Sequence, residues 1–352
     1  MASRLLAIKN FGQKIWLDYL SRELINSNGL QKLINDDGIA GITSNPTIFH
    51  KAISSDKSYQ HDLEKLKSSN LNAEERYEAL VLPDIKMACD IMLPLYNESN
   101  YEDGYISFEV SPHLANDAAE TIKQAKRLWQ EINRPNLMIK VPATEAGMIA
   151  LTELIYSGIN INITLLFSLD QVVETWKAYI SGLQKRHKEK LPLNKIKSVA
   201  SFFLSRVDSI IDPQLPENLQ GKTAINLAKT AYLIYQEVFS SSIFLPLKNA
   251  GAHNQYLLWA STGTKNPKYS DLLYIEELIG METINTVPTA TLQAFKDHGN
   301  ARSQLTKDIE KAPKFIEEIK KYVNMTKIGK QLQLDGLKLF EQSYDELMNL
   351  VK

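Results

Sequence analysis

Cysteine occurs once in this 352-residue chain, at Cys89. A single thiol excludes an internal disulfide framework and a cysteine-rich zinc site, and it suits a reducing compartment. Net charge is almost absent as well, with 40 Lys and Arg against 41 Asp and Glu. That balance gives no global electrostatic reason to expect a nucleic-acid or membrane partner. It does not exclude a local basic pocket, because a cleft focuses its own field. Long apolar runs are missing: the stretches around Leu137 and Leu165 are too short and too interrupted to span a bilayer. There is no basic-then-apolar opening of the kind that directs export, since Phe11 is followed closely by Gln13, Lys14 and Asp18. Fixed-period repeats and low-complexity segments are lacking too. The expectation is a cytoplasmic globular protein. With 44% hydrophobic and 23% charged residues, it has the means to build a sizeable core.

What is present is an alternation. The opening segment carries Ile15, Leu17, Leu20, Leu24 and Ile25 at roughly helical spacing and ends at Asn28-Gly29. Ile39 to Thr43 reads as a strand leaving through Asn45-Pro46. Charged helical sequence follows from Lys51 to about Tyr96, broken near Ser69-Asn70. Tyr105 to Val110 is β-favouring and is stopped at Pro112. The stretch from Asp117 to Ile132 is an amphipathic helix. "NLMIKVP" is a strand, and "NINITLLF" another, followed by a helix whose Ser168 and Gln171 have capping-box spacing. "SVASFFLSRVDSIID" reads as a strand leaving through a charged end, Ser242 to Leu247 as a further strand, and "YLLWASTG" and "TINTVP" as two more. The tail, residues 306–352, reads as amphipathic helices packed on the rest.

Strand-helix units repeated this often build a parallel sheet with both faces covered, so the fold class is α/β. A doubly wound open sheet and a (β/α)8 barrel both fit. No G-x-G-x-x-G turn follows the strand at Ile39 to Thr43, as a Rossmann sheet would usually have. Polar residues instead fall within or just after many strands: Asn45, Glu109, Lys140, Asn162, Thr164, Arg206 and Ser261. A barrel gathers strand ends at one mouth, so the pattern predicts a (β/α)8 TIM barrel with additional C-terminal helices. The chain is expected to form a single domain over 1–352, with 306–352 as a helical extension.

Lys140 lies inside an apolar strand, sharing a face with Met138 and Pro142. On the lumen side its amine would be desolvated, which favours the neutral form that attacks a ketone to give a Schiff base. A place at a sheet edge, with the amine snorkelling to water, is the bland alternative. The polar neighbours weigh against it, because buried polar groups in several adjacent strands need partners. An iminium on Lys140 would let a ketose carbon-carbon bond break. Asp18 or Glu109 is the candidate base, Glu109 and Thr164 the pair to hold a water, and Asn45 and Asn162 the groups to orient hydroxyls. Arg206 and the cluster Ser261, Thr262, Gly263 and Lys265 offer donors for a phosphate, although Arg206 could equally pair with Asp208 or Asp212. This chemistry calls for no metal, nucleotide or redox cofactor.

Six segments, "GITSNPTIF", "ISFEVSP", "NLMIKVPAT", "GININITLLFS", "ASFFLSRVD" and "LLWASTGTKNP", occur in this order. Together they resemble bacterial transaldolases from about Trp16 to the closing "FEQSYDELM". The resemblance implies a barrel circularly permuted relative to ordinary class I aldolases. It implies Lys140 as the Schiff-base lysine, Glu109 and Thr164 as the pair binding the catalytic water, and Asp18 as the base in carbon-carbon cleavage. Asn45 and Asn162 then orient substrate, Arg206 binds phosphate, and Ser201 lines the same pocket. The implied reaction moves a dihydroxyacetone unit from sedoheptulose 7-phosphate to glyceraldehyde 3-phosphate, giving erythrose 4-phosphate and fructose 6-phosphate. Independently of the resemblance, a monomer and a homodimer are both ordinary outcomes for such a chain. One departure is visible: a second phosphate-binding arginine of many transaldolases is missing, and Lys265 stands in its region. Tyr256, just before the same strand, is expected outside the site. The rival readings are an aldolase releasing free dihydroxyacetone, a group that typically has glutamine in place of Glu109, and a non-catalytic binding barrel.

Overall fold

The computed structural model describes residues 3–352. Eight strands hydrogen-bond in chain order and close on themselves: β1 (Gln13–Leu17), β2 (Ile39–Thr43), β3 (Tyr105–Glu109), β4 (Leu137–Pro142), β5 (Ile161–Leu166), β6 (Ser198–Phe203), β7 (Tyr256–Ala260) and β8 (Thr283–Val287). Every neighbouring pair is parallel, including β1 with β8. The strands are buried on both sides, which is why they read as nearly continuous apolar runs and not as alternating ones. Helices around the outside cover the barrel, giving the TIM-barrel form. Among the described residues no helix is long and apolar enough to cross a membrane.

Local sequence explains where the helices begin. Ser168 and Gln171 form a reciprocal capping box at the start of Leu169–Lys188, and Asn72 with Glu75 does the same for Ala73–Glu98. Asp117 accepts a hydrogen bond from the Glu120 backbone N–H and caps Ala118–Ile132. Asn45 caps Pro46–Ser55 through the Ile48 N–H, with Pro46 in the first helical position.

Three expectations need correction. The opening apolar residues are a strand, β1, followed by the short helix Arg22–Asn26. Ile15 and Leu17 keep strand alternation, and burial on both sides had hidden the period. Ser242 to Leu247 is no strand: it turns into the helix Leu245–Asn249, with Pro246 in its first turn. The charged exit after β6 is itself helical, Ser205–Ile211, and this sets where Arg206 points.

The tail forms two helices. Ala312–Ile319 packs on Thr223–Phe239, and the long helix Met325–Val351 lies against Pro46–Ser55, Ala73–Glu98 and β5. β5 is irregular at its end: its register against β6 shifts between Ile163 and Leu166, and Leu165 adopts φ +63°. A left-handed leucine is a strained conformation held by its surroundings, and such positions cluster at functional sites.

Candidate active site

The C-terminal ends of the strands enclose a cavity of about 180 Å³. Asp18, Thr43, Asn45, Lys140, Thr164, Ser201 and Thr286 line its depth, and Phe203, Arg206, Ser261, Gly263, Lys265 and Phe340 its walls and rim. Parallel register does the assembling. Glu109 lies beside Lys140 and Lys140 beside Asn162, so these three side chains share the inner face of consecutive strands.

Lys140 is buried with its partner. Its Nζ donates to Glu109 Oε2 at 3.0 Å and to the Ser44 carbonyl at 3.1 Å. The two side chains are only 5% and 3% exposed, which rules out the sheet-edge reading. Burial raises the Glu109 carboxyl above its ordinary range, against the lowering effect of the Lys140 charge and hydrogen bond. Asp18, which follows β1, is raised in the same way by burial, with Lys140 and the Thr43 hydroxyl pulling it back. Thr43 Oγ1 donates to Asp18 Oδ1 at 2.7 Å and lies 2.6 Å from Thr286 Oγ1. Two carboxyl groups that feel the Lys140 charge are thus both made readier by burial to hold a proton. Two buried polar atoms nearby, Glu109 Oε1 and Thr164 Oγ1, have no hydrogen-bond partner among the described residues, and groups of that kind are costly to bury unless something else satisfies them.

The upper part of the mouth is cationic. Arg206 sits in the first turn of its helix with its guanidinium 5.8 Å from the Phe203 ring centroid. Burial lowers its pKa, and the Asp335 charge partly offsets this. The structural pairing with Asp208 or Asp212 is not found, because both carboxylates are engaged elsewhere. Asp208 accepts from the Tyr274 hydroxyl and the Ala224 N–H. Asp212 accepts from the Tyr269 hydroxyl and the Gly221 N–H. Ser261 follows β7 with φ +54°, and its hydroxyl lies 2.9 Å from that of Ser205. The Ser205 N–H also donates to the Ser261 carbonyl, so the loops carrying Arg206 and Lys265 are tied together. A mouth with carboxyls and an amine at its base and a guanidinium and an ammonium at its rim suits a polar substrate with an anionic end.

A family model described as transaldolase/fructose-6-phosphate aldolase matches residues 15–351. A transaldolase of Thiobacillus denitrificans is 46% identical over 349 residues, covering 97% of both chains. One from Neisseria gonorrhoeae is 45% identical over 342 residues, again covering 97% of each. A "Transaldolase 2" of Nostoc sp. is 43% identical over 366 residues, covering 99% of this chain and 96% of the relative. The chain belongs to the transaldolase family. It is therefore an enzyme, a transferase of the transaldolase type.

In this member of the transaldolase family the structure brings nine of the ten expected site residues to one place. Asp18, Asn45, Lys140, Thr164, Ser201, Arg206, Ser261 and Lys265 line the cavity, and Glu109 touches it through Lys140. Asn162 lies one step deeper. It is fully buried, donates to Ser107 Oγ and accepts from Ser201 Oγ. Tyr256 opens β7 at the opposite end of the barrel, with its ring centroid 4.9 Å from Lys197 Nζ. Six lining residues were not among the expected ones: Thr43, Phe203, Ala260, Thr286, Pro288 and Phe340. Thr43 and Thr286 carried the signal used for Thr164, a hydroxyl in an apolar strand, whereas Phe203 and Phe340 carried none.

Proposed function

We propose that the enzyme transfers a dihydroxyacetone unit from sedoheptulose 7-phosphate to D-glyceraldehyde 3-phosphate through a Schiff base on Lys140, giving D-erythrose 4-phosphate and D-fructose 6-phosphate. The observation that carries the reading is the buried contact of Lys140 Nζ with Glu109 Oε2 at 3.0 Å, on the floor of a mouth rimmed by Arg206 and Lys265. Glu109, raised by burial, takes a proton from the Lys140 ammonium. The freed amine adds to the ketose carbonyl and water leaves, forming an iminium. Glu109 Oε1 and Thr164 Oγ1, both without a partner among the described residues, hold the water that relays protons in this step and in the final hydrolysis. Asp18 removes the proton from the C4 hydroxyl, and the C3–C4 bond electrons pass into the iminium as the aldose leaves. The Asp18 carboxyl is held by Thr43, which fixes its direction.

Asn45 uses its oxygen to cap a helix, which leaves its amide nitrogen for a substrate hydroxyl. Asn162 acts one step away by holding Ser201 in place. Arg206, Lys265 and Ser261 take the phosphate. The strand order is read as circularly permuted relative to ordinary class I aldolases, on the resemblance alone.

The competing reading is an aldolase that releases free dihydroxyacetone, and the family model covers both activities. Glu109 and the curated transaldolases at 43–46% identity favour transfer. The deciding assay follows fructose 6-phosphate with and without an aldose phosphate acceptor. Turnover that requires the acceptor supports transfer, and equally rapid release of dihydroxyacetone without it supports the aldolase.

A further inference from the structure

The helix Met325–Val351 is seated on the rim of the barrel by specific contacts. Gln333 Nε2 donates to the carbonyls of Ala143 at 2.7 Å and Leu165 at 3.1 Å. It thereby bridges the ends of β4 and β5, the strands that carry Lys140 and Thr164. Two glycines allow the close approach: a Cβ on Gly336 would lie 2.9 Å from Leu165 Cδ2, and one on Gly329 2.7 Å from Ser168 Cβ. Thr47 reaches Ser343 from the side of β2, and Thr326 reaches Asp170 from the side of β5. The result is that Phe340, itself 5% exposed, forms part of the cavity wall with its ring centroid 5.4 Å from Lys140 Nζ.

We infer that Phe340 is a specificity-determining residue that shields the lysine-bound three-carbon intermediate from water, so that an acceptor aldehyde resolves it. This inference rests on the Lys140 Schiff-base reading. After cleavage the enamine on Lys140 has two exits. In transfer, its nucleophilic carbon bonds to the carbonyl carbon of the acceptor and the aldehyde oxygen takes a proton. One water then cleaves the new iminium into ketose and amine. In release, the same carbon takes a proton from a protein acid in place of the aldehyde. One water cleaves the resulting dihydroxyacetone iminium, breaking the C–N bond and returning the amine.

Release therefore depends on protonation at carbon and on early entry of water, before an acceptor binds. A phenyl ring offers water no strong hydrogen-bonding group, and its π face is favourable beside a cation, ammonium or iminium alike. It covers one side of the nitrogen and of the adjacent carbon. The wall is supplied by a segment 200 residues away from Lys140 in sequence, which explains why no strand motif announces it.

The test uses the full chain with fructose 6-phosphate as donor. Free dihydroxyacetone release without acceptor and transfer to erythrose 4-phosphate are measured for the parent, Phe340→Ala and Phe340→Leu, and each protein is trapped with borohydride and weighed intact. The ratio of release to transfer is expected to rise on the order of tenfold in Phe340→Ala, with a smaller rise in Phe340→Leu and an adduct retained in all three. Phe340→Leu retains most of the packing volume and decides the matter where the alanine variant fails to fold. Release and transfer falling together at an unchanged ratio, with the adduct still formed, overturns the role of Phe340 and leaves the Schiff-base reading standing. No adduct in the parent protein overturns both.

Discussion

Replacing Lys140 by methionine is the perturbation whose outcome the geometry specifies most fully. The ammonium lies 3.0 Å from Glu109 Oε2, both side chains being almost wholly buried. At the effective dielectric that suits such sites, this attraction is about 5 kcal/mol. Removing one member of a buried pair leaves the other uncompensated and typically costs about 3–5 kcal/mol. The stranded carboxylate escapes by binding a proton. Burial already raises Glu109 and Asp18, and the charge of Lys140 is the foremost influence holding both down, so its loss raises them further. A carboxyl raised in the folded state favours folding fully below its unfolded pKa of about 4.3, and that contribution disappears as pH climbs through the folded value. The stability deficit of Lys140→Met should therefore be small near pH 5 and grow by about 1.4 kcal/mol per pH unit for each carboxyl involved, to about 3–5 kcal/mol near pH 8. Urea unfolding of both proteins at about pH 5, 6.5 and 8 reads this directly. A deficit of constant size would mean that lost packing, not a stranded charge, is responsible, and the electrostatic account of the site would be wrong.

Other expectations follow from single residues. Arg206→Ala should raise KM for phosphorylated donors on the order of tens of fold, the worth of one charge-assisted contact, with little change for unphosphorylated fructose as donor; an unfolded variant in a melting experiment would return Arg206 to a structural role. Asp208 is buried, and desolvation pushes its carboxyl up to about 7, so it supports the folded state below about pH 4 and ceases to do so as pH rises through about 7. Asp208→Asn should gain stability relative to the parent across that window, by up to about 4 kcal/mol; denaturant midpoints that shift equally at both ends would contradict this. Gly147 has no room for a side chain, since a Cβ there would lie 1.9 Å from the Pro142 carbonyl oxygen. Gly147→Ala should lose about 1–3 kcal/mol or more by overpacking, and an unchanged Tm would show that the β4 exit yields easily.

The barrel and its buried polar floor were legible because they depend on short-range pattern. Lys140 inside "LMIKVP", Glu109 inside "YISFE" and Asn162 with Thr164 inside "INITLL" each break an apolar strand, and parallel register does the rest. β1 was illegible as a strand because apolar residues on both faces and the following Leu20, Leu24 and Ile25 imitate a helical period. Ser242 to Leu247 misled in the opposite direction: its apolar residues suggest a strand, while Pro246 marks a helix start. Arg206 was expected on a strand exit, whereas it lies on the helix Ser205–Ile211 and lines the cavity from there. The deepest gap was the wall formed by Phe340. In sequence it is one apolar residue of an amphipathic helix, and nothing local distinguishes a residue that faces the core from one that faces a substrate. The bend at Leu165 is likewise a tertiary effect, held by Gln333 and Gly336 from the far end of the chain.

The proposed mechanism joins a sugar carbonyl covalently to one buried amine, that of Lys140. Borohydride reduction in the presence of fructose 6-phosphate, followed by peptide mapping, tests it without relying on turnover. A dihydroxyacetone-derived mass increment confined to the peptide bearing Lys140, and abolished in Lys140→Met, is the result expected. An increment on a different lysine, or none at all from a folded and active protein, would contradict the account.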